Sequence, residues 1–304
     1  MTIDLDSTIC EVHGKAKHGA AYGYTKVLGY HPILATRADT GEVLHARLRK
    51  GSSQRGAKRF AEELIARVRR AGATGALTVR GDAGFWNYAL VETLTRLGVR
   101  WSVTVRINPS IRKAIEAIDE SAWTTIAYPD GGEAQVAETV YVTGPGKDRR
   151  ELRLVVRRTR LTEAAQRRLW PDWRHHAFIT NVELPTVAVD RFHRDHATIE
   201  LAIRDLKEGA GLEHCPSGRF FANAAWLGCA VLAHNLIRWT ARLGDVHPAD
   251  QLTVTRTVRT RLLELPGRLV NRSRRWILRL PARWPWATEF DTALDRIRSL
   301  PLLT

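Results

Sequence analysis

The first 108 residues alternate between strand-like and helix-like patterns, and this order constrains the fold more than any other feature. A β-branched and apolar run opens the chain, and the apolar runs Pro32–Ala35 and Val43–Leu48 flank a turn-forming ADTG sequence. Amphipathic helical patterns then alternate with apolar strand patterns, in the order helix at 52–72, strand at 75–81, helix at 85–98 and strand at 99–108. Strands interleaved with helices predict an α/β fold with a mixed sheet flanked by helices.

The pattern changes between about 119 and 186, where strand-like alternation and Gly-rich turns predict a β-rich insertion. A helix over 161–170 is expected within it. Two further helical patterns follow, and the second, at 220–244, is apolar almost all round, which predicts a buried helix. We therefore expect a catalytic core over 1–243, interrupted at about 119–186, and a basic C-terminal segment over 244–304.

The charge balance points to a polyanionic partner. The chain has 47 Lys and Arg against 32 Asp and Glu, a formal charge of +15, and such a field attracts nucleic acid. Enrichment of arginine at solvated positions is the alternative explanation. Three cysteines without C-x-x-C spacing exclude a cysteine zinc site. The same cysteine usage predicts a cytoplasmic protein. We expect no apolar run long enough to span a bilayer, and hence no membrane partner.

Three acids stand out from their surroundings. Asp6 lies in the first strand, Asp82 ends the strand at 75–81, and Glu200 lies within a helical pattern. Each has a simple structural explanation: a turn or cap for the aspartates, and an i,i+4 pair with Arg204 for Glu200. Taken together, they fall where a ribonuclease H fold places its metal ligands. Three neighbouring carboxylates repel one another unless a cation such as Mg²⁺ or Mn²⁺ neutralises them.

Nearly the whole chain resembles a bacterial insertion-sequence transposase of the DDE type, in the branch with the helix signature Tyr-x-x-Arg-x-x-x-Glu-x-x-x-x-x-x-Lys. The resemblance is carried by DLDSTICEVHGKAKHG, VRGDAGF and IELAIRDLKEGAGLEHCPSGRFFANAAWLG. It implies a ribonuclease H-like core, two Mg²⁺ or Mn²⁺ ions, cleavage at transposon terminal inverted repeats, strand transfer into target DNA, and a homodimer in the DNA complex. The family's first Asp corresponds to Asp6, its second to Asp82, its Glu to Glu200 and its Lys to Lys207.

Two signature positions depart from the family pattern. The Tyr position is His193 and the Arg position is His196. Both positions hold DNA near the cleavage site in the family, so the two histidines are expected to contact phosphate, with a charge that depends on pH. Family members also carry an end-binding region before the first Asp. Because Met1 falls within or just before the first strand, we expect a chain that lacks this region.

Four further residues are predicted DNA contacts. Lys207 lies two helical turns beyond Glu200, on a similar face, and Arg204 lies between them. Arg219 follows the catalytic helix in a loop. Trp86, next to the second Asp motif, is a candidate for stacking on a flipped base, although a tryptophan in this position is more often part of the core.

Two other functions remain open at this stage. DLDST matches the D-x-D-x-T motif of haloacid-dehalogenase-type phosphatases, with Asp4 as nucleophile and Asp6 as acid/base. Only three residues precede this motif, no helix pattern follows it, and GDAGFWN lacks the second late acid. The other alternative is a truncated DNA-binding remnant that keeps the acids but does not transpose.

Overall fold

The structure is a computed structural model, and it describes residues 1–23, 25–51, 55–128, 132–144, 149–160, 173–246, 251–281 and 283–301. The chain divides into two compact units. Unit 1 comprises Met1–Asp6 and Gln54–Ile199, and unit 2 comprises Ser7–Ser53 and Glu200–Thr304. The predicted division into 1–243 and 244–304 stays a prediction.

Strands and helices alternate along the chain. The strands are β1 (Thr2–Ser7), β2 (Cys10–Glu11), β3 (Ala21–Tyr22), β4 (Leu28–Tyr30), β5 (Ile33–Arg37), β6 (Val43–Arg47), β7 (Thr78–Gly81), β8 (Arg100–Val105), β9 (Thr124–Ile126), β10 (Glu133–Thr143), β11 (Arg150–Arg160), β12 (Arg174–Thr180), β13 (Arg268–Arg272) and β14 (Arg275–Arg279). The helices are α1 (Ala57–Arg70), α2 (Tyr88–Arg96), α3 (Pro109–Glu116), α4 (Thr186–Arg194), α5 (Thr198–Glu208), α6 (Phe220–Leu243), α7 (Thr255–Val258) and α8 (Ala287–Arg298).

Unit 1 is built on a mixed sheet. Strands β1, β7 and β8 are parallel neighbours, and parallel neighbours need crossover connections such as α2, which joins β7 to β8. Strands β12, β11, β10 and β9 continue the sheet in antiparallel order from β8. The predicted α/β fold class, a mixed sheet flanked by helices, is confirmed.

Helix α1 shows how the sequence pattern leads to this packing. Phe60, Leu64, Ile65 and Val68 recur at helical spacing and are all buried, as predicted. The helix ends at Arg70, and Gly72 follows with a φ of 95°, a left-handed conformation that glycine adopts without a Cβ penalty. One amphipathic face therefore covers the core while the basic face stays in solvent.

The predicted β-rich insertion is present as β9 to β12. It does not form a separate sheet, because β12 pairs with β8 and extends the sheet of unit 1. Val136, Val155, Phe178, Val182 and Val189 form a buried cluster that packs α4 against these strands. The helix expected over 161–170 lies outside the described residues.

Unit 2 combines helices with small antiparallel elements. The predicted hairpin before the first helix is present as β5 and β6, and the hairpin of the basic tail is present as β13 and β14. Strands β2, β4 and β3 form a small sheet. Helix α6 packs with α7 and α8 around Ala241, Val258 and Leu262.

The prediction that helix 220–244 is buried is wrong. Helix α6 exposes large apolar side chains, including Phe221 at 81% and Leu232 at 55%, while its buried face includes polar side chains such as His234 and Asn235. The expectation that no apolar run approaches a membrane span is also corrected. By length and composition alone α6 is long and apolar enough to cross a membrane, although such a helix is weak support for a membrane protein.

Candidate functional site

Two of the three predicted acids lie at the ends of neighbouring strands of the unit 1 sheet, Asp6 near the end of β1 and Asp82 directly after β7. Leu5 of β1 is in register with Gly81 of β7, so the next residues along the parallel pair are Asp6 and Asp82. Neighbouring strands lie about 4.8 Å apart, which makes the two residues neighbours. Asp82 is exposed, and its Oδ1 accepts a hydrogen bond from the Gly84 backbone at 3.0 Å. This hydrogen bond fixes one carboxylate oxygen of Asp82.

A buried ion pair lies two residues before these acids along β1 and β7. Arg80 donates from Nε to Asp4 Oδ1 at 2.7 Å and from Nη2 to Oδ2 at 2.8 Å. Both side chains are buried, with exposures of 3% and 0%. Because alternate residues of a strand share a face, Asp4 and Arg80 share a face with Asp6 and Asp82. The pair therefore places a fixed ion pair, neutral overall, next to the acidic strand ends.

Sequence analysis missed Arg80 as part of this arrangement. The sequence does contain a signal for the Asp4–Arg80 pair, a repeated spacing. Asp4 lies two residues before Asp6, and Arg80 lies two residues before Asp82. The burial of Asp4 also argues against the phosphatase alternative. A carboxylate that is fully buried and held by two guanidinium hydrogen bonds is not available as an attacking nucleophile, so the assignment of Asp4 as nucleophile is wrong.

His196 extends the buried ion pair. Its Nδ1 lies 2.9 Å from Asp4 Oδ1, and Arg80 also donates from Nη1 to the Phe192 carbonyl. The Arg80 guanidinium lies 4.9 Å from the centre of the Phe192 ring. These contacts bind the end of α4 and the turn after it to β1 and β7. His196, at the signature's Arg position, therefore contacts a protein carboxylate, and its predicted contact with DNA stays a prediction.

His193 is held by the sheet through both ring nitrogens. Its Nδ1 lies 2.7 Å from Ser102 Oγ and its Nε2 lies 2.9 Å from Thr104 Oγ1, while the ring stacks on Phe178 at 4.0 Å. Burial, with help from the nearby positive charges of His196 and Arg80, lowers the pKa of His193 to about 3. The ring is thus neutral at physiological pH, and both nitrogens have hydroxyl partners. These contacts favour a structural role over the predicted phosphate contact.

The third predicted acid, Glu200, belongs to unit 2. It lies in the first turn of α5 with its side chain exposed. Within the described ranges, no group of three or more His, Cys, Asp or Glu side chains is arranged to hold a metal ion. The predicted three-carboxylate ligand set therefore stays a prediction.

The two aspartates offer the kind of donor atom that a divalent cation requires. Mg²⁺ and Mn²⁺ prefer oxygen ligands, and carboxylates are the usual protein donors. Asp6 and Asp82 supply two carboxylates at adjacent strand ends. Among the residues that the structure describes, the exposed Asp82 carboxylate has only the Gly84 backbone as a hydrogen-bond partner. Asp6 and Asp82 are thus suitable protein ligands for a divalent cation.

Helix α5 is anchored within unit 2 by Asp205. Its carboxylate accepts hydrogen bonds from the Thr255 backbone at 2.8 Å, the Thr255 hydroxyl at 2.7 Å and Arg238 Nη1 at 2.8 Å, with His234 Nδ1 at 3.3 Å. Burial alone would raise the pKa of Asp205, but these donors outweigh it and hold the pKa well below its usual range. Sequence analysis missed this anchor, which fixes the helix that carries Glu200 and Lys207.

The remaining predicted DNA contacts lie on several surfaces. Lys207 Nζ pairs with Glu213 Oε1 at 3.1 Å, and Arg204 is exposed on α5 beside a cavity of about 550 Å³ that is also lined by Arg256 and Arg259. Arg219 is exposed at the start of α6, and Trp86 is half-buried before α2. Their roles on DNA stay predictions.

Comparison with known proteins identifies the family. No curated protein matches the sequence. Among solved structures, the chain is similar to a piggyBac transposase in a synaptic complex with hairpin DNA, with 10% identity and a TM-score of 0.49. That similarity covers 100% of this chain, which spans 55% of the transposase chain. The family described as transposase DDE domain, group 1, matches residues 1–302. The predicted family is thus confirmed, and the chain belongs to the transposase DDE domain family, group 1.

Proposed function

We propose that this chain is a DNA transposase of an insertion sequence, which cleaves transposon ends and transfers the strands into target DNA. The observation that carries the proposal is the pair of carboxylates, Asp6 and Asp82, on adjacent strand ends in a member of a DDE transposase family. The formal charge of +15 is consistent with a DNA substrate. We propose that the reaction takes place in the cytoplasm, on terminal inverted repeats paired by two copies of the chain.

In this proposal Asp6 and Asp82 hold divalent cations, and Glu200 completes the ligand set. Members of the family generally use divalent metal ions; their identity as Mg²⁺ or Mn²⁺ and their number, two, are proposed here. When bound, such ions supply the positive charge that phosphodiester cleavage and strand transfer require.

The chain's own residues perform the positioning. The Gly84 backbone orients the Asp82 carboxylate. The buried Asp4–Arg80 pair adds no net charge of its own and keeps β1 and β7 in register behind the two acids. Asp205 holds α5, from which Arg204 and Lys207 present cationic groups for phosphate. Arg219, Trp86 and His196 remain candidates for contacts with the DNA end.

The test is metal-dependent nicking of supercoiled plasmid DNA by the purified chain. Asp82→Asn removes the negative charge while its side-chain oxygen can still accept the Gly84 hydrogen bond, so this variant should fold and should lose nicking. Glu116→Ala, which changes an exposed acid at the end of α3, is the matched control and should nick as the wild type does.

Two results separate the alternatives. Nicking retained in Asp82→Asn would refute the assignment of the site. DNA binding without metal-dependent nicking in the wild type would identify a DNA-binding remnant instead. In either case DNA affinity should fall steeply with salt, because each neutralised phosphate releases counterions.

A further inference from the structure

Helix α6 of unit 2 carries a continuous apolar stripe on its exposed side. The residues recur every three or four positions over six turns, with Ala225 filling the first interval, and we call them the α6 stripe: Phe221, Cys229, Leu232, Leu236, Trp239 and Leu243. Their exposed fractions include 81% for Phe221, 55% for Leu232 and 49% for Leu236. The stripe is about 33 Å long at 1.5 Å per residue. Exposed apolar surface of this extent marks an interaction site.

The polar side chains of α6 explain why the stripe faces outward. Asn235 is buried, with Oδ1 accepting from the Val43 backbone and Nδ2 donating to it, both at 2.9 Å. His234 is also buried, with Nε2 3.1 Å from the Gly41 carbonyl. Rotating the stripe into unit 2 would break these bonds and leave buried polar groups unpaired, which is costly. The helix thus packs with Asn223, His234, Asn235 and Arg238 on its buried face, beside Leu227, Ala230 and Ala241, and with the α6 stripe outside.

We infer that the α6 stripe is the surface through which two copies of this chain associate. The stripe exposes on the order of 500 Å² of apolar surface per copy, so two copies would bury roughly 1,000 Å², the minimum for a specific interface. The charge distribution favours the same place. Each copy carries +15, and two such copies repel each other except where an uncharged face allows close contact.

The shape of the α6 stripe also allows it to pack against α6 of a second copy. At Gly228 an added Cβ would meet no described atom within 4 Å, and Gly228 lies next to Cys229 near the middle of the stripe. Small residues at this point let a second helix approach closely while the large residues on either side interdigitate. The stripe itself has no cation to bind DNA phosphates, since the charged residues of α6 are Arg238, which is buried, and Arg242 near its end.

This inference rests on the part of the proposed function in which two copies of the chain act together, and it names the surface that joins them. Because it is tested without DNA, the inference and the proposed function can fail independently. The molar mass of the full chain is measured by size-exclusion chromatography with light scattering at tens of micromolar in moderate salt. We expect the wild type at twice its 34.2 kDa chain mass. Leu232→Glu should weaken association at least about 100-fold, because each copy buries an unpaired charge. Val140→Glu, at a site with the same 55% exposure on β10, should leave the dimer unchanged.

A second readout uses the natural cysteines and needs no variant. Cys229 is exposed within the stripe, whereas Cys10 and Cys215 are buried. Maleimide labelling of Cys229 should therefore slow at least tenfold when the protein is concentrated into the dimer range. A monomeric wild type, a folded Leu232→Glu variant that stays dimeric, or labelling independent of concentration would overturn the inference. A monomer that floats with phospholipid vesicles would assign the stripe to a membrane instead and would also overturn it.

Discussion

Replacing Arg80 with methionine removes one partner of the buried ion pair behind the acidic strand ends. The guanidinium makes two hydrogen bonds to Asp4, at 2.7 and 2.8 Å, and both side chains are buried. Without Arg80, the Asp4 carboxylate keeps its contact with His196. Loss of one partner of a buried pair costs about 3 to 5 kcal/mol, a large fraction of the 5 to 15 kcal/mol of a typical domain.

The assay is a double-mutant cycle followed by urea unfolding. Arg80→Met, Asp4→Leu and the double variant are compared with the wild type, with tryptophan fluorescence as the probe, to which the buried Trp101 of unit 1 contributes. Because apolar replacement of both partners is often close to neutral, the double variant should recover most of the stability lost in Arg80→Met. The coupling energy should exceed about 2 kcal/mol.

The control is an exposed ion pair in the same unit. Arg59 Nε lies 3.0 Å from Glu63 Oε1 on α1, with the arginine side chain 80% exposed. Arg59→Met should cost about 0.5 kcal/mol or less. A cost below 1 kcal/mol for Arg80→Met, or additive effects of the two single substitutions, would refute the reasoning that this pair is buried and mutually dependent.

Three further predictions concern single residues. The pKa of His193 is lowered to about 3 in the folded chain, so below pH 6.5 the unfolded chain binds a proton that the folded chain does not. The free energy of unfolding should therefore fall by about 2 kcal/mol between pH 7 and pH 5. Urea titrations should find this loss in the wild type and not in His193→Gln. Asn235→Ala leaves both backbone partners in β6 unpaired and should cost about 2 to 3 kcal/mol, measured by thermal unfolding with a Tm that falls by several degrees. A thiol reagent such as Ellman's reagent should titrate one cysteine, Cys229, in the dilute folded chain, and Cys10 and Cys215 should react only after unfolding.

The sequence predicted most elements because their hydrophobic periods were clear. The helical spacing of Phe60 and Leu64 placed the buried face of α1, and the turn between the runs of β5 and β6 marked their hairpin. The β-rich stretch was also recognised. Its pairing with β8 was not predicted, because strand alternation identifies a strand but not its neighbours.

Two features of the structure could not be predicted from local patterns in the sequence. The burial of Asp4 depends on Arg80, which lies 76 residues away, and only the register of β1 with β7 brings the two charges together. The orientation of α6 was predicted wrongly because a nearly uniform apolar helix gives no periodic signal. Its few polar residues, such as Asn235, decide the orientation through hydrogen bonds to the backbone of β6.

The candidate site was predicted in part. The positions of Asp6 in the first strand and of Asp82 at the end of a later strand predicted that they would meet at one edge of a sheet, and the register of β1 and β7 agrees with this. The role of Glu200 depends on the family resemblance and on the placement of α5, which no local pattern specifies. His193 and His196 fill signature positions, yet their contacts to Ser102 and Asp4 could be found only from the fold.

The most direct test of the carboxylate site is a crystal structure of the chain with Mn²⁺, in which anomalous scattering locates the metal. The account predicts an anomalous peak within about 2.5 Å of carboxylate oxygens of Asp6 and Asp82, and its loss in crystals of Asp82→Asn. Manganese bound elsewhere, with Asp6 and Asp82 unliganded, would contradict the account.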